Sequence, residues 1–336
     1  MLNLSIQPNY YYQSNTLNPR SRNHLRLVTN PSFKGIKEDN QASLNQLRTS
    51  RPLMLSKTNI DVEEWLNQFD TEEDKQLILK ILDNYVYIDM NNARKAFKKV
   101  YQDISLREGF DVKQTKFATL GVSKSGSVMG YLFRQANKFR SKGAVQHKYT
   151  DTQNMIQEEK FLTSTQLSDV AYNKELKDNG FKNLVIVDDM IGDGDSLVEY
   201  FTPEVVESLS NYENIYFATL IQDPDGVEKV KREFPNLNIQ FVSAMTVHKY
   251  DSDENKIFTP EEKVKIAELV KKYGAKINPA LVDKYGRSKL FISFDWNTPG
   301  NTPMFFNLDE NNWKSLFPRY NGLEKEEVEP AFSFMC

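Results

Sequence analysis

The chain has 336 residues, enough for one large or two modest domains, and its 43 Lys and Arg residues nearly balance its 46 Asp and Glu residues. Its apolar runs are far too short for a membrane span, and its single cysteine, Cys336, excludes a disulfide within the chain. The N-terminus lacks the basic patch followed by an apolar core that marks a secretory leader, so we expect none. Composition therefore predicts a soluble cytoplasmic protein that does not bind membranes.

The first 57 residues differ in composition from the rest of the chain. They hold eight of the 43 Lys and Arg residues but only two of the 46 acidic ones, and they lack sustained apolar periodicity. This composition predicts a flexible basic arm over residues 1–57. Its three tyrosines from Tyr10, with basic residues downstream, could stack on single-stranded nucleic acid. A solvated tail, or a segment that docks on another protein, is the simpler interpretation.

Residues 58–110 are predicted to form a helical segment. Three runs of apolar residues recur there with the spacing of one helix face. Asp61 can cap the first of these helices, which carries Trp65. We expect the Trp65 ring to lie in the core rather than at a ligand.

From about residue 111 the pattern changes to alternating strands and helices. Apolar runs predict strands at 117–122, 184–187, 215–221 and 239–244, with helices at 128–139 and 227–234. Alternation of this kind predicts a doubly wound α/β core with a parallel sheet over residues 111–250, followed by a C-terminal appendage over 251–336. Ligands of such sheets bind at the carboxyl ends of the strands.

The predicted strand at 184–187 ends in an acidic pair, Asp188 and Asp189, and a glycine-rich turn follows it. Its apolar, mostly β-branched residues are typical of a central parallel strand that is buried on both faces. Backbone N–H groups of the turn at 192–196 could hold a phosphate, and the two carboxylates could bind ribose hydroxyls or Mg²⁺. A receiver domain or another doubly wound fold would also place two aspartates after an apolar strand.

This order of residues resembles the signature of the type I phosphoribosyltransferases. The resemblance implies that Asp188 and Asp189 contact the ribose of phosphoribosyl pyrophosphate (PRPP), with Mg²⁺ as the cofactor that they would hold. It also implies two phosphate-binding turns. The 5′-phosphate loop would consist of Gly192, Asp193, Gly194, Asp195 and Ser196, and the pyrophosphate turn of Ser123, Lys124, Ser125 and Gly126.

Three residues of the loop depart from the family pattern. Gly192 stands where family members often have an aspartate that acts near the leaving base, and Asp193 stands where they usually have Thr or Ala. Asp193 is the nearest substitute for that acid or base, displaced by one position. Asp195 adds a further carboxylate. Two carboxylates beside a phosphate would repel it unless a metal or a basic group intervenes.

The C-terminal appendage carries a second resemblance. A predicted strand at 289–294 leads into the Asn-Thr-Pro block from Asn297, and a Trp…Leu-Phe-Pro-Arg block begins at Trp313. These blocks look like those of bacterial phosphoribosyltransferase-like proteins from conflict and antiviral defence loci, some of them retrons. The resemblance spans roughly residues 60–320. It implies an effector whose partner is another protein or an RNA–DNA hybrid. The basic composition of residues 1–57, which the resemblance does not cover, makes that arm the expected contact.

Two functions follow from these observations. The first is a phosphoribosyltransferase-like effector that binds PRPP or a nucleotide with Mg²⁺ and acts at ribose C1, with Asp188, Asp189 and Asp193 as its catalytic residues. The second is a catalytically inactive subunit that senses a ligand or acts as a scaffold, and that binds its partner through the basic arm. Whether the chain is an enzyme stays open at this level.

Overall fold

The computed structural model describes residues 48–120, 125–137, 161–285 and 289–319. Within these ranges no helix is both long enough and apolar enough to cross a membrane. The strands are β1 (Val86–Ile88), β2 (Thr115–Thr119), β3 (Phe161–Leu162), β4 (Asn183–Ile191), β5 (Asn214–Gln222), β6 (Ile239–Thr246) and β7 (Ile292–Phe294). The helices are α1 (Arg51–Leu55), α2 (Val62–Leu66), α3 (Glu72–Asp83), α4 (Met90–Ser105), α5 (Ser125–Ala136), α6 (Ser164–Ser168), α7 (Val170–Asp178), α8 (Asp195–Tyr200), α9 (Pro203–Leu209), α10 (Pro224–Glu233), α11 (Pro260–Ile277), α12 (Val282–Tyr285) and α13 (Met304–Asn307).

The larger sheet confirms the predicted α/β architecture. Its five strands are all parallel, in the order β3-β2-β4-β5-β6. The chain runs from β2 outward to β3 and then crosses back to β4 on the other side of β2. The direction of winding therefore reverses between β2 and β4, and a reversal of this kind opens a crevice at the carboxyl ends of the two strands where ligands bind.

Both faces of the central strand β4 are covered, as its apolar sequence predicts. Val185 and Val187 pack into one apolar cluster, which includes residues of α4 and α5. Leu184 and Ile186 point into the opposite cluster, which includes residues of α8 and α9. Alternate residues of a strand face opposite sides of the sheet. Burying each of these side chains contributes about 1.5–3 kcal/mol, so the carboxyl end of β4 has a rigid base.

A second, two-stranded sheet joins parts of the chain that the sequence treats as separate segments. β1 pairs in parallel with β7, with Val86 opposite Ile292. The helices before β1 and the segments around β7 share one aromatic cluster, in which Trp65 is fully buried and its Nε1 donates to the Phe305 carbonyl at 3.1 Å. The prediction that Trp65 lies in the core is confirmed.

The folded region begins before residue 58. Met54, in α1, is fully buried in the aromatic cluster, and the Thr49 backbone N–H donates to the Tyr87 carbonyl at 2.9 Å. The Thr49 hydroxyl also donates to Asp89 Oδ2 at 3.0 Å. Residues 48–57, assigned to the arm from their composition, therefore pack against the small sheet. Residues 1–47, the rest of the predicted arm, lie outside the described residues.

Candidate functional site

The acidic pair lies on the last part of β4 rather than beyond it. Opposite β2, strand pairing ends where Thr119 meets Val187, whereas on the other side Asp188 still pairs with Thr219 of β5. The strand predicted to end at residue 187 continues to Ile191 because β5 continues beside it. Asp188 and Asp189 therefore lie past the end of β2, at the crevice between β2 and β4.

Asp188 contacts the turn that follows β2. The Ser125 hydroxyl donates to Asp188 Oδ1 at 3.2 Å, and the Asp189 backbone N–H donates to the same oxygen at 2.9 Å. The next residue, Gly126, packs on the backbone just after β2, because a Cβ there would lie 2.2 Å from the Leu120 carbonyl oxygen. The structure thus brings together Asp188 and the second half of the predicted pyrophosphate turn. Ser123 and Lys124, the first half, lie outside the described residues.

Asp189 also has partners in its own strand and in the C-terminal segment. Its Oδ1 accepts the Met190 backbone N–H at 2.8 Å, and its Oδ2 accepts Trp296 Nε1 at 3.3 Å. Burial raises the pKa of the Asp189 carboxyl, and the hydrogen bond from Trp296 opposes that effect. The Trp296 indole is stacked on Phe294, with ring centroids 4.7 Å apart. The C-terminal segment after β7 therefore forms one wall of the site.

The predicted phosphate loop connects β4 to α8. Gly194 has a φ of +83°, a left-handed conformation that favours glycine. Asp193 Oδ1 accepts the Asp195 backbone N–H at 3.1 Å, and Asp193 Oδ2 accepts Asn301 Nδ2 at 3.2 Å. Ser196, the second residue of α8, is exposed. The loop is therefore held in shape by its own carboxylate and by an amide from the C-terminal segment.

Gly192, a departure from the family pattern, has a steric reason. A Cβ at this position would lie 2.6 Å from Asn301 Oδ1, so the Asn301 side chain would have to move if residue 192 were an aspartate. Asn301 donates to Asp193 instead. The carboxylate that family members often have at the first position of this loop is here at the second, with the space of the first filled by Asn301.

Helix α10 packs directly against the loop. A Cβ on Gly226 would lie 1.9 Å from the Gly192 carbonyl oxygen, so this position is limited to glycine. One turn further on, Lys229 forms an ion pair with Asp195 at the start of α8. Sequence reasoning missed both residues. A glycine in the first turn of a helix that follows a strand indicates close backbone approach, but nothing in its sequence context says to which loop.

The described residues offer a cation only part of a coordination shell. Among the described residues, no group of three or more His, Cys, Asp and Glu side chains is arranged to hold a metal ion. Mg²⁺ in phosphate-binding sites takes one or two carboxylates and completes its shell with water and substrate oxygens. Asp188, with Asp189 beside it, fits that smaller requirement, which a bound diphosphate would complete.

Comparison with known proteins places the chain in a family. No curated protein matches it. One similar solved structure is that of the AQ2163 protein from Aquifex aeolicus, with 15% sequence identity. The match covers 60% of the present chain and 86% of the AQ2163 chain, and its TM-score of 0.27 is too low to support a conclusion. The sequence profile of the PRTase-CE family matches residues 62–319, which contain the whole site described above. The chain therefore belongs to the PRTase-CE family, a phosphoribosyltransferase-like family.

Proposed function

We propose that this protein binds a ribose phosphate, either PRPP or a nucleotide, together with Mg²⁺, at the crevice between β2 and β4. One observation carries the proposal. Ser125, after β2, donates a hydrogen bond to Asp188 on β4, so the two segments that we propose as the halves of a phosphoribosyl site meet where the sheet reverses its winding. Membership of a phosphoribosyltransferase-like family supports this assignment.

Each part of the site has a distinct role in the proposal. Asp188 would accept hydrogen bonds from ribose hydroxyls, and Asp188 and Asp189 would be the carboxylates that hold Mg²⁺. Residues 192–196 would surround the 5′-phosphate, and the turn from Ser123 to Gly126 would hold the diphosphate. Mg²⁺, when bound, would neutralise charge on the diphosphate.

The proposed reaction takes place at ribose C1. The bond from C1 to its leaving group breaks, the leaving group departs with the electron pair, and a base nitrogen or a water oxygen forms the new bond to C1. Both oxygens of Asp193 accept hydrogen bonds, from Asp195 N–H and Asn301 Nδ2. These bonds fix the position of the carboxylate, one residue from where the family resemblance places an acid or base, and the role we propose for Asp193 is that of a general base toward the incoming group.

The biological setting is a further part of the proposal. The sequence blocks around Asn297 and Trp313 look like those of bacterial defence proteins, and the second block contributes to the core, because Trp313 is buried and its Nε1 donates to the Phe305 carbonyl at 3.0 Å. We propose that the protein acts in an anti-phage defence system, such as a retron. Residues 1–57 would contact a partner protein or an RNA–DNA hybrid there.

A specific observation favours the second candidate function, a sensing or scaffolding subunit without catalysis. Carboxylates at the site already have partners from elsewhere in the chain. Trp296 donates to Asp189, Asn301 donates to Asp193, and Lys229 pairs with Asp195. A site whose carboxylates are already hydrogen-bonded or ion-paired within the protein can be stable without turning over a substrate.

Calorimetric titration of PRPP and Mg²⁺ tests the proposed site, which an enzyme and a ligand-sensing subunit would share. We expect the wild type to bind and the Asp188→Asn/Asp189→Asn double variant to lose at least about tenfold in affinity, equivalent to about 1.4 kcal/mol. The exposed Asp253→Asn variant is the matched control and should bind as the wild type does. Binding that is unaffected by the double substitution, or absent in the wild type, would reject the proposal. A pure scaffold would instead lose its partner on removal of residues 1–47, which leaves the buried Met54 in place, and would retain it in the double variant.

A further inference from the structure

The loop that is proposed to hold a phosphate carries two carboxylates of its own, at Asp193 and Asp195. Like charges this close raise the energy of a bound phosphate unless a cation offsets them. The two carboxylates have partners of different charge. Asp193 accepts hydrogen bonds from neutral donors, Asp195 N–H and Asn301 Nδ2, whereas Asp195 is paired with a cation, Lys229.

The position of Lys229 is set by the packing of α10 on the loop. Gly226, in the first turn of this helix, touches the backbone of Gly192 and Gly194. Lys229 follows three residues later, so it emerges from the same face of the helix. The contact at Gly226 therefore fixes the base of the lysine side chain beside the loop, and the flexible stem of the side chain reaches Asp195.

Neither member of this pair is locked in place. The Lys229 side chain is 33% exposed and that of Asp195 is 40% exposed. A lysine ammonium is a point charge on a flexible stem, so it can exchange one anion for another without a particular geometry. An exposed ion pair of this kind is worth little in itself, so breaking it costs little when a more strongly charged partner arrives.

We propose that Lys229 is a phosphate-binding residue of this site, held beside the loop by Asp195 until a phosphate takes its place. Asp195 then acts as a competitor that lowers the affinity of the loop for phosphate, and the two residues together set that affinity. This inference rests on the proposed function, because it assumes that residues 192–196 surround the phosphate.

Two substitutions test the pair through effects of opposite sign on the affinity for ribose 5-phosphate, measured by calorimetry. Lys229→Met removes the cation and leaves Asp195 unpaired, so affinity should fall about tenfold. Asp195→Asn frees Lys229 and removes a negative charge, so affinity should rise by a similar factor, each corresponding to about 1.4 kcal/mol. Lys231→Met is the matched control, because Lys231 lies on the same helix and pairs with Glu228. Its affinity should equal that of the wild type.

A merely structural ion pair would give a different pattern. Both substitutions would then lower the melting temperature without ligand, and neither would change the affinity, or both would lower it; either pattern overturns the proposal. If Lys229→Met does not fold, Lys229→Gln, which removes the charge and keeps a polar side chain, replaces it, and the same fall in affinity is expected. Should the wild type fail to bind PRPP, the Asp195→Asn variant is titrated with inorganic phosphate. Binding there would support the charge pair while the proposed function fails, and no binding would overturn both.

Discussion

At the scale of single residues, the two adjacent aspartates of the site have different environments. Asp188 accepts hydrogen bonds from Ser125 and from the backbone, whereas both oxygens of Asp189 are occupied by the Met190 N–H and by Trp296. Asp188 meets Ser125 across the crevice between β2 and β4, so we expect it to be the aspartate that contacts ribose. Asp189 ties the C-terminal wall of the site to the central strand.

The environment of the partly buried Asp189 predicts that the stability of the protein depends on pH. Burial raises the pKa of this carboxyl in the folded chain above its ordinary value of 3.8. The folded chain then holds a proton that the unfolded chain releases, and the stability from that proton is lost as pH rises from 3.8 to the folded pKa. The contribution of Asp189 to the free energy of unfolding, taken as the difference between the wild type and Asp189→Asn in urea denaturation, should therefore fall over this range.

Asp189→Asn provides the check on that prediction, because asparagine does not titrate. The pH dependence of this variant should lack the contribution of Asp189 and keep that of Asp223, whose pKa is also raised by burial. The exposed Asp253→Asn variant should behave as the wild type does. An unchanged pH dependence in Asp189→Asn would mean that this carboxyl is as well solvated in the folded chain as in the unfolded one.

Residue patterns predicted only part of the site. Asp188 and Asp189 could be recognised because they follow an apolar strand, and their position depends on local sequence alone. Trp296 contacts Asp189 across 107 residues of chain, and Asn301 contacts Asp193 across 108. These contacts depend on how β7 and the segment after it pack against the rest of the fold. No local spacing encodes that arrangement.

At the scale of elements, the loop between β4 and α8 depends on α10 for its position. A Cβ on Gly226 would meet only backbone atoms of the loop, at 1.9 Å from the Gly192 carbonyl oxygen and 3.0 Å from Gly194 N. Backbone cannot rotate away as a side chain can. The loop would have to shift if this glycine were replaced.

Gly226→Ala should therefore lower both the stability of the protein and its affinity for ribose 5-phosphate. We expect a loss of about 1–3 kcal/mol in unfolding free energy, the usual cost of overpacking. Gly274→Ala is the matched control, because a Cβ there meets the flexible end of the Met304 side chain, at 2.8 Å. Urea denaturation and calorimetry measure the two quantities. Wild-type affinity in Gly226→Ala would show that the loop position is not set by α10.

The strand β4 also shows why element boundaries were harder to predict than elements. The sequence predicts its end at the first aspartate, because polar residues usually leave a buried strand. β5 is long enough to continue pairing through Met190 and Ile191, so β4 extends to Ile191. The length of a neighbouring strand decided the boundary, and the local sequence of β4 contains no signal for it.

At the scale of the whole molecule, the small sheet unites both ends of the family region. β1 and β7 have only three residues each, too few to show a periodicity, so their pairing was not predictable from sequence. The aromatic cluster beneath them contains Trp65, Phe306 and Trp313. The C-terminal segment that lines the ligand site therefore depends on packing with the N-terminal helices.

Trp65→Ala should destabilise the entire fold rather than only the N-terminal helices. Trp65 is fully buried and packs on Phe69 and Phe306, so we expect a loss of about 3–5 kcal/mol in unfolding free energy. Leu106→Ala, at a side chain 85% exposed, should change it by less than about 0.5 kcal/mol. Far-ultraviolet circular dichroism and fluorescence of the remaining tryptophans follow the urea transitions. A loss below about 1 kcal/mol would contradict the role of this cluster.

The central claim is that a ribose phosphate binds where the sheet reverses between β2 and β4. A crystal structure of the full chain with ribose 5-phosphate and Mg²⁺ tests it most directly. We expect the ribose hydroxyls to lie within hydrogen-bond distance of Asp188 and the phosphate to contact the backbone N–H groups of residues 192–196. Density for the ligand elsewhere on the molecule, or a phosphate that makes no contact with this loop, would contradict it.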